Sequence, residues 1–320
     1  MNHIILKNLR MAFGIAAGIA LLLLAASSTV SLAKGKMKPV DLSDPDELFK
    51  AQVKGSCSTV DGKPTVYWWS GRMWARVPGE PHKLLFNVHG MNTRQCMTKL
   101  DPKKGFCYHS VSREVMFYLD PITNEVVRNW KNPWTNEEVP VVQVANDPVN
   151  MRPGVWFCSR DADGKPIKRD GTFVKDELVL EGGGAARLFY KNPLAGDYQD
   201  YVGGAYHAME FGTTTVPLST ALDPNKTEFM DAVISWGRVS RWLPWMKMGD
   251  REGLVVFHTA GMRLDNFAQL PDVVKNEINL NYPTYSAPPP LTDERDNDTS
   301  WTVFKRYIDA KRATEAKAKP

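Results

Sequence analysis

The segment Tyr206-His207-Ala-Met-Glu210 places a phenol, an imidazole and a carboxylate within five positions. On a helix, His207 and Glu210 share a face and could pass a proton or hold a metal; on a strand their odd separation sends them to opposite faces. We read a strand here. Tyr206 and Glu210 then line one side, and His207, Met209 and Phe211 the other. The plain alternative is a surface Glu and a packed His.

A second set surrounds Arg113-Glu114. His89 and Asn87 sit two apart and share a strand face. His109 falls in the following strand, so a sheet that brought His89 close to His109 or Glu114 would suit a general base. A metal would need a carboxylate in addition, and with no diagnostic ligand spacing we expect none. In Asn146-Asp147-Pro148-Val-Asn150 the Asx residues before proline signal a turn. At a barrel mouth, Asp147 could instead orient a substrate or serve as a base, with Asn146 and Asn150 as ligand contacts. In an enzyme, Asp147, His207 or Glu114 would be the base, with Arg113 or Arg238 stabilising developing negative charge.

A third set is aromatic and cationic. In Arg72-Met-Trp74-Ala-Arg76, alternation puts Trp74 between two guanidinium groups on one face, either a solvated surface or a stacking site. Trp236-Gly-Arg238-Val-Ser-Arg241-Trp242-Leu-Pro-Trp245 interleaves three tryptophans with cations, followed by Met246 and Met248. Such a segment either clamps an apolar ligand or closes the end of a core.

The elements that must position these residues are mostly strands. Short runs rich in Val, Trp, Tyr and Phe recur from Pro64 onward: Thr65–Val77, Lys83–Lys99, Phe106–Leu119, Glu125–Trp130, Val139–Ala145, Leu178–Leu180, Ala186–Tyr190, Gly204–Thr215, Ala232–Arg241 and Gly253–Arg263. Gly, Pro, Asn and Asp punctuate them, which predicts an antiparallel meander. Glu181-Gly-Gly-Gly184 reads as a flexible turn. A short helix containing Leu48 and Phe49, capped by Asp41 or Ser43, precedes the strands; a helical turn over Pro271–Ile278 and an amphipathic helix over Thr302–Lys317 follow them. So many strands leave exposed edges unless the sheet closes or doubles. The expectation is a mainly β fold, an antiparallel barrel-like or strongly curved sheet of lipocalin/calycin type with a C-terminal helix. One β-rich domain over 34–285 and a Pro-rich and helical segment over 286–320 describe the organisation.

At 320 residues with 43% hydrophobic and 24% charged side chains, the composition is that of a globular protein. The net charge is only +4 and the basic residues are dispersed, which argues against a nucleic-acid partner. Lys7 and Arg10 precede an uncharged stretch from Met11 to Ala26, and Ser31 and Ala33 supply small residues for a signal peptidase. This pattern predicts export with a cut after Ala33 and a periplasmic or secreted product; membrane contact would come only through an uncleaved signal. In that compartment Cys57, Cys96, Cys107 and Cys158 are disulfide candidates. Cys96 and Cys107 flank the turn Asp101–Gly105 and could pair across a hairpin, leaving Cys57 for Cys158; four reduced, buried thiols are the alternative. Dinucleotide, phosphate-loop, zinc-helix and nucleophile-elbow motifs are missing, so no cofactor is expected.

Four blocks together are distinctive: Ser112-Arg-Glu-Val-Met-Phe-Tyr-Leu-Asp-Pro121, Trp130-Lys-Asn-Pro-Trp-Thr135, Val144-Ala-Asn-Asp-Pro-Val-Asn150 and Trp242-Leu-Pro-Trp-Met-Lys-Met-Gly249. They resemble an uncharacterised bacterial family, the domain of unknown function eighteen thirty-eight, over roughly residues 45–265. The resemblance implies frequent export and carries no reaction. It makes Arg113, Glu114, Trp134, Asn146, Asp147, Asn150 and Trp245 parts of family blocks. The functional expectation is a protein that binds an apolar or aromatic small molecule of lipid, terpenoid or steroid class, through Trp74, His89, Asn146, Asn150, Tyr206, Glu210, Arg238, Trp242, Trp245 and Met246. The alternatives are a lyase, isomerase or hydrolase acting on such a molecule, and a structural envelope protein that uses its C-terminal helix to meet a partner.

Overall fold

β-branched and aromatic residues fit a pleated, half-buried surface, and the long runs rich in them form the long strands. The computed structural model describes residues 38–169, 171–191 and 205–318, with backbone alone for 182–191 and 205–206. The expected signal segment over 1–33 lies outside the described residues. Helix α1 (Pro45–Ser56) is followed by β1 (Thr65–Arg76), β2 (Lys83–Asp101) and β3 (Gly105–Leu119). Four short strands come next: β4 (Asn129–Lys131), β5 (Glu138–Pro140), β6 (Val144–Asn146) and β7 (Phe157–Cys158). Then come β8 (Gly171–Val174), β9 (Glu177–Lys191), β10 (Ala205–Pro217), the one-turn helix α2 (Leu218–Ala221), β11 (Val233–Ser240) and β12 (Leu254–Leu264). Helices α3 (Asp272–Asn281) and α4 (Ser300–Lys317) follow.

One antiparallel sheet runs in the order β6-β3-β2-β1-β12-β11-β10-β9-β8, with β7 beside β3 and β4–β5 as a separate ribbon. The sheet is open, with β6 and β8 at its ends, so the expected barrel does not close. It is nonetheless strongly curved. Glu114 on β3 feels the charges of Glu210 on β10 and Arg238 on β11. In a flat sheet the five strand spacings from β3 to β10 would put about 24 Å between them, beyond such reach. Glycine allows part of this bending: a Cβ on Gly261 would come within 2.2 Å of the Trp68 carbonyl oxygen on the neighbouring strand.

Helix α1 explains why the edges need not pair. On one side Asp46 accepts from the Ser159 hydroxyl and pairs with Arg160 (3.4 Å), just past β7. On the other side Leu48 and Ala51 pack with Leu178 and Leu180 of β9. The helix thus bridges the two ends of the sheet and covers the gap, one of the ways exposed edges are blunted. Its cap is Asp44, which accepts from the Asp46 N–H, and not Asp41 or Ser43; Pro45 then takes the first helical position, where no N–H is needed. Buried Arg263 of β12 donates to the carbonyls of Lys54 and Cys57 at the end of α1 and pairs with Glu228. A cation at a helix C-terminus satisfies orphan carbonyls and opposes the helix dipole.

The two faces of the sheet are both covered over much of their extent. Met73, Phe86, Tyr118, Val255 and Phe257 on the concave face join Trp242, Trp245 and Met246, and α4 adds Trp301, Phe304 and Ile308. On the convex face Val66, Met91, Val115 and Phe117 meet Leu270, Val274, Ile278 and Tyr285 from α3 and its flanks. The apolar side of α4 is therefore consumed within the protein.

Several sequence expectations are corrected. The three glycines after Glu181 do not turn; they stay within β9, with Gly182 opposite Gly212 and an irregularity in the β9–β10 register just beyond it. The run Val139–Ala145 is split between β5, which pairs with β4, and β6, which pairs with β3. Of Glu125–Trp130, only Asn129 and Trp130 lie in a regular strand. The cysteines form two disulfides, Cys57–Cys96 and Cys107–Cys158, and not the expected hairpin pair. In the β2–β3 register Cys96 faces Ser110 and Cys107 faces Lys99. Cys107 and Ser110 are an odd number of positions apart, so the two thiols project to opposite faces. Cys107 instead lies directly across from Cys158 on β7.

Candidate functional site

Strand alternation decides what the interior contains. In β3, Ser112, Glu114, Met116 and Tyr118 share the concave face, while Arg113, Val115 and Phe117 point outward. The register carries that face across to Asn92 and Arg94 on β2, to Tyr67 and Trp69 on β1, and to Trp236 and Arg238 on β11. Arg238 stands opposite Glu210 on β10, and their side chains pair at 3.3 Å. Asn146 of β6 stands opposite Glu114 and donates from Nδ2 to its Oε1 at 3.4 Å. Curvature thus gathers Glu114, Asn146, Arg94, Glu210 and Arg238 into one group.

This group is polar, deep and incompletely satisfied. Asn92 Oδ1, Asn146 Oδ1, Arg94 Nε and Trp69 Nε1 are buried without a hydrogen-bond partner. Native proteins leave few buried polar atoms unpaired, and each forgoes about 1–3 kcal/mol. Trp69, Arg94, Glu114, Glu210, Trp236 and Arg238 nevertheless keep some accessible surface. Burial pushes the Glu114 carboxyl up to about 7, and the Glu210 charge adds to this; Arg238, Arg94 and the Asn146 hydrogen bond oppose it. The Trp69 indole lies across Gly90, where an added Cβ would come within 2.1 Å of the ring. Glycine there lets the indole lie flat against β2.

Other expected residues fall elsewhere. Arg113 and Asp147 pair with each other at 2.9 Å outside the interior. Arg295 joins Asp147 at 2.7 Å, and Arg113 donates to the Thr284 and Ala287 carbonyls, so both residues tie the chain after α3 to the sheet. Asn150 does the same: its Oδ1 accepts from the Ser112 N–H, and its own N–H donates to Asn297. His89 is on the convex face, across from Phe117 and Ser70, and near neither His109 nor Glu114. Its Nδ1 accepts from Trp68 Nε1 at 3.4 Å, and burial lowers its pKa. His109 is paired with Met97, farther along the sheet, and its Nδ1 lies 2.9 Å from the Val155 carbonyl.

His207 lies on the exposed side of β10, opposite in phase to Glu210. The Tyr206 side chain is outside the described residues. Trp74 is half-buried between the exposed Arg72 and Arg76, a solvated outer face. Trp242, Trp245 and Met246 are core: the Trp242 indole donates to the Arg251 carbonyl, and Trp245 packs on Phe86, Tyr118 and Trp130. Of the expected site residues, Glu114, Asn146, Glu210 and Arg238 come together. Asn92, Arg94 and Trp69 were missed as site residues. Their signal is their phase, since Asn92 and Arg94 alternate with convex residues and pair across to the Glu114 side. Among the described residues no group of three His, Cys, Asp or Glu side chains is placed to hold a metal.

The family model described as "Protein of unknown function (DUF1838)" matches residues 62–308. The chain belongs to this family. The match covers all of β1 to β12, α3 and the first half of α4, so Glu114, Asn146, Glu210 and Arg238 lie in the DUF1838 region, as do Asn92, Arg94 and Trp69. α1 lies before it. No curated protein matches the chain. The two disulfides of this DUF1838 member point to an oxidising compartment, extracellular or periplasmic. No helix among the described residues is long and apolar enough to cross a membrane.

Proposed function

We propose that this protein is exported to the periplasm after cleavage at Ala33 and binds a small molecule inside its curved sheet. The ligand has an apolar or aromatic body and one oxygen-bearing end. The observation that carries this reading is the set of unpartnered buried atoms around Glu114: Asn92 Oδ1, Asn146 Oδ1, Arg94 Nε and Trp69 Nε1. Two donors and two acceptors on the Glu114 face of the sheet suit a hydroxyl, carbonyl or carboxyl group. Trp69, Trp236, Met116 and Ile234 share the concave face and supply apolar surface for the body. Pockets of this kind combine an apolar lining with a few placed polar groups.

The test is mass spectrometry of small molecules released by denaturing protein purified from the periplasmic fraction. A compound of this class at one per chain supports the reading. An empty protein whose tryptophan emission ignores aromatic ketones, alcohols and acids overturns it.

A further inference from the structure

We infer that Glu114 and Glu210 are an acid–base pair acting on a bound ketone, Glu114 protonating the carbonyl oxygen while Glu210 removes a proton from the adjacent carbon. This rests on the interior being a binding cavity. The two carboxyl groups come from strands far apart in the sheet order and converge only because the sheet curves. Their surroundings differ. Glu210 sits in an ion pair with Arg238 at 3.3 Å, which fixes the carboxylate on β10. Glu114 has no ion pair among the described residues, and its hydrogen bond comes from a neutral amide, Asn146. Its carboxyl is raised to about 7, so near neutral pH a large fraction of it carries the proton a donor needs. Two carboxyl groups whose environments diverge in this way divide into acid and base.

The substrate class follows from the lining. A sugar needs polar partners around its whole ring. Here the charged groups, the two Glu and two Arg, cluster, and Met116, Trp69, Ile234 and Trp236 share the face with them. A ligand with a single carbonyl fits that distribution. The step balances without a co-reactant. The Glu114 O–H bond breaks, its proton joins the carbonyl oxygen, and the C=O π pair becomes an oxygen lone pair. The C–H pair on the adjacent carbon becomes the C=C bond of the enol, and that proton goes to Glu210. Reversal, with Glu210 returning its proton to the same or a conjugated carbon, restores both residues and gives proton exchange or an isomer. Arg94, whose Nε lacks a partner, is placed to stabilise charge developing on oxygen.

The test uses α-tetralone, an aromatic ketone with acidic C–H bonds, in deuterium oxide near neutral pH. Deuterium entry beside the carbonyl is followed by NMR, and binding by quenching of tryptophan emission. The purified protein should raise exchange by about 10²-fold over buffer, and Glu210→Gln and Glu114→Gln should each return it to the buffer rate while still binding. Glu210→Asp should restore part of the exchange, and urea midpoints should show that the variants fold. Binding without exchange overturns the acid–base pair and leaves the binding reading standing, as does exchange that survives Glu210→Gln. A protein that neither binds nor exchanges overturns both.

Discussion

Glu114 on β3 and Glu210 on β10 lie close enough to repel each other, although five strand spacings separate them in the order of the sheet. That interaction across the sheet follows from its curvature. It also has a thermodynamic consequence. The folded Glu114 carboxyl titrates at about 7, against 4.5 in its ordinary state, so between these values the folded protein holds more protons than the unfolded chain. Stability contributed by the neutral carboxyl is fully present below the ordinary value and is lost as pH rises through about 7. Urea midpoints should fall over that window by the equivalent of about 3 kcal/mol. Glu114→Gln should remove that slope. An unchanged slope in the variant would show that another group causes it.

The Gly90 position reports on Trp69. A methyl group there meets the indole at 2.1 Å, so Gly90→Ala should swing the ring off β2 and cost about 1–3 kcal/mol. Trp emission should shift together with the unfolding midpoint. A variant with wild-type emission and stability would mean the indole is not held there.

Arg263 should be among the costliest positions in the fold. It is almost fully buried and serves Glu228 and two α1 carbonyls at once. Arg263→Met removes one of the two cations that pair with Glu228, Lys63 being the other, together with a donor to the Lys54 and Cys57 carbonyls, and should destabilise by about 3 kcal/mol. The double variant with Glu228→Gln should recover part of the loss, which urea titration of the pair can measure.

The disulfides can be checked by connectivity and by loss. Peptide mapping without reductant should give Cys57 with Cys96 and Cys107 with Cys158, joined across 39 and 51 positions. Replacing either pair by serine should cost about 2–4 kcal/mol, since each bond restricts a long loop in the unfolded chain. A Cys96–Cys107 peptide would contradict the β2–β3 register.

Helix α4 should behave as core and not as an appendage. Phe304 is 1% exposed among Trp301, Trp245 and Met246, so Phe304→Ala should lower stability by about 3–5 kcal/mol. Thermal unfolding followed by circular dichroism would register it. A change under about 0.5 kcal/mol would place the helix off the sheet.

Local pattern alone determined much of this protein. Period-two alternation marked the long strands, and it placed Glu210 and His207 on opposite faces of β10. The same period separates Glu114 from Arg113, a consequence that becomes useful only once the inner face is known. Charge interspersion and an even cysteine count were also legible from residue types. Tertiary structure decided the rest, because alternation says which residues share a face and not which distant strands meet. Curvature brought β3 to β10 and β11, made Glu114, Asn146, Arg94 and Arg238 neighbours, and left their spare hydrogen-bonding atoms inside. Register assigned the disulfides. Packing assigned Trp242, Trp245 and Met246 to the core, since an aromatic cluster reads the same in sequence whether its occupant is a ligand or the protein's own helix. The open sheet was also a tertiary choice: α1, a short amphipathic helix with no special motif, covers the edges that strand pairing would otherwise have had to close.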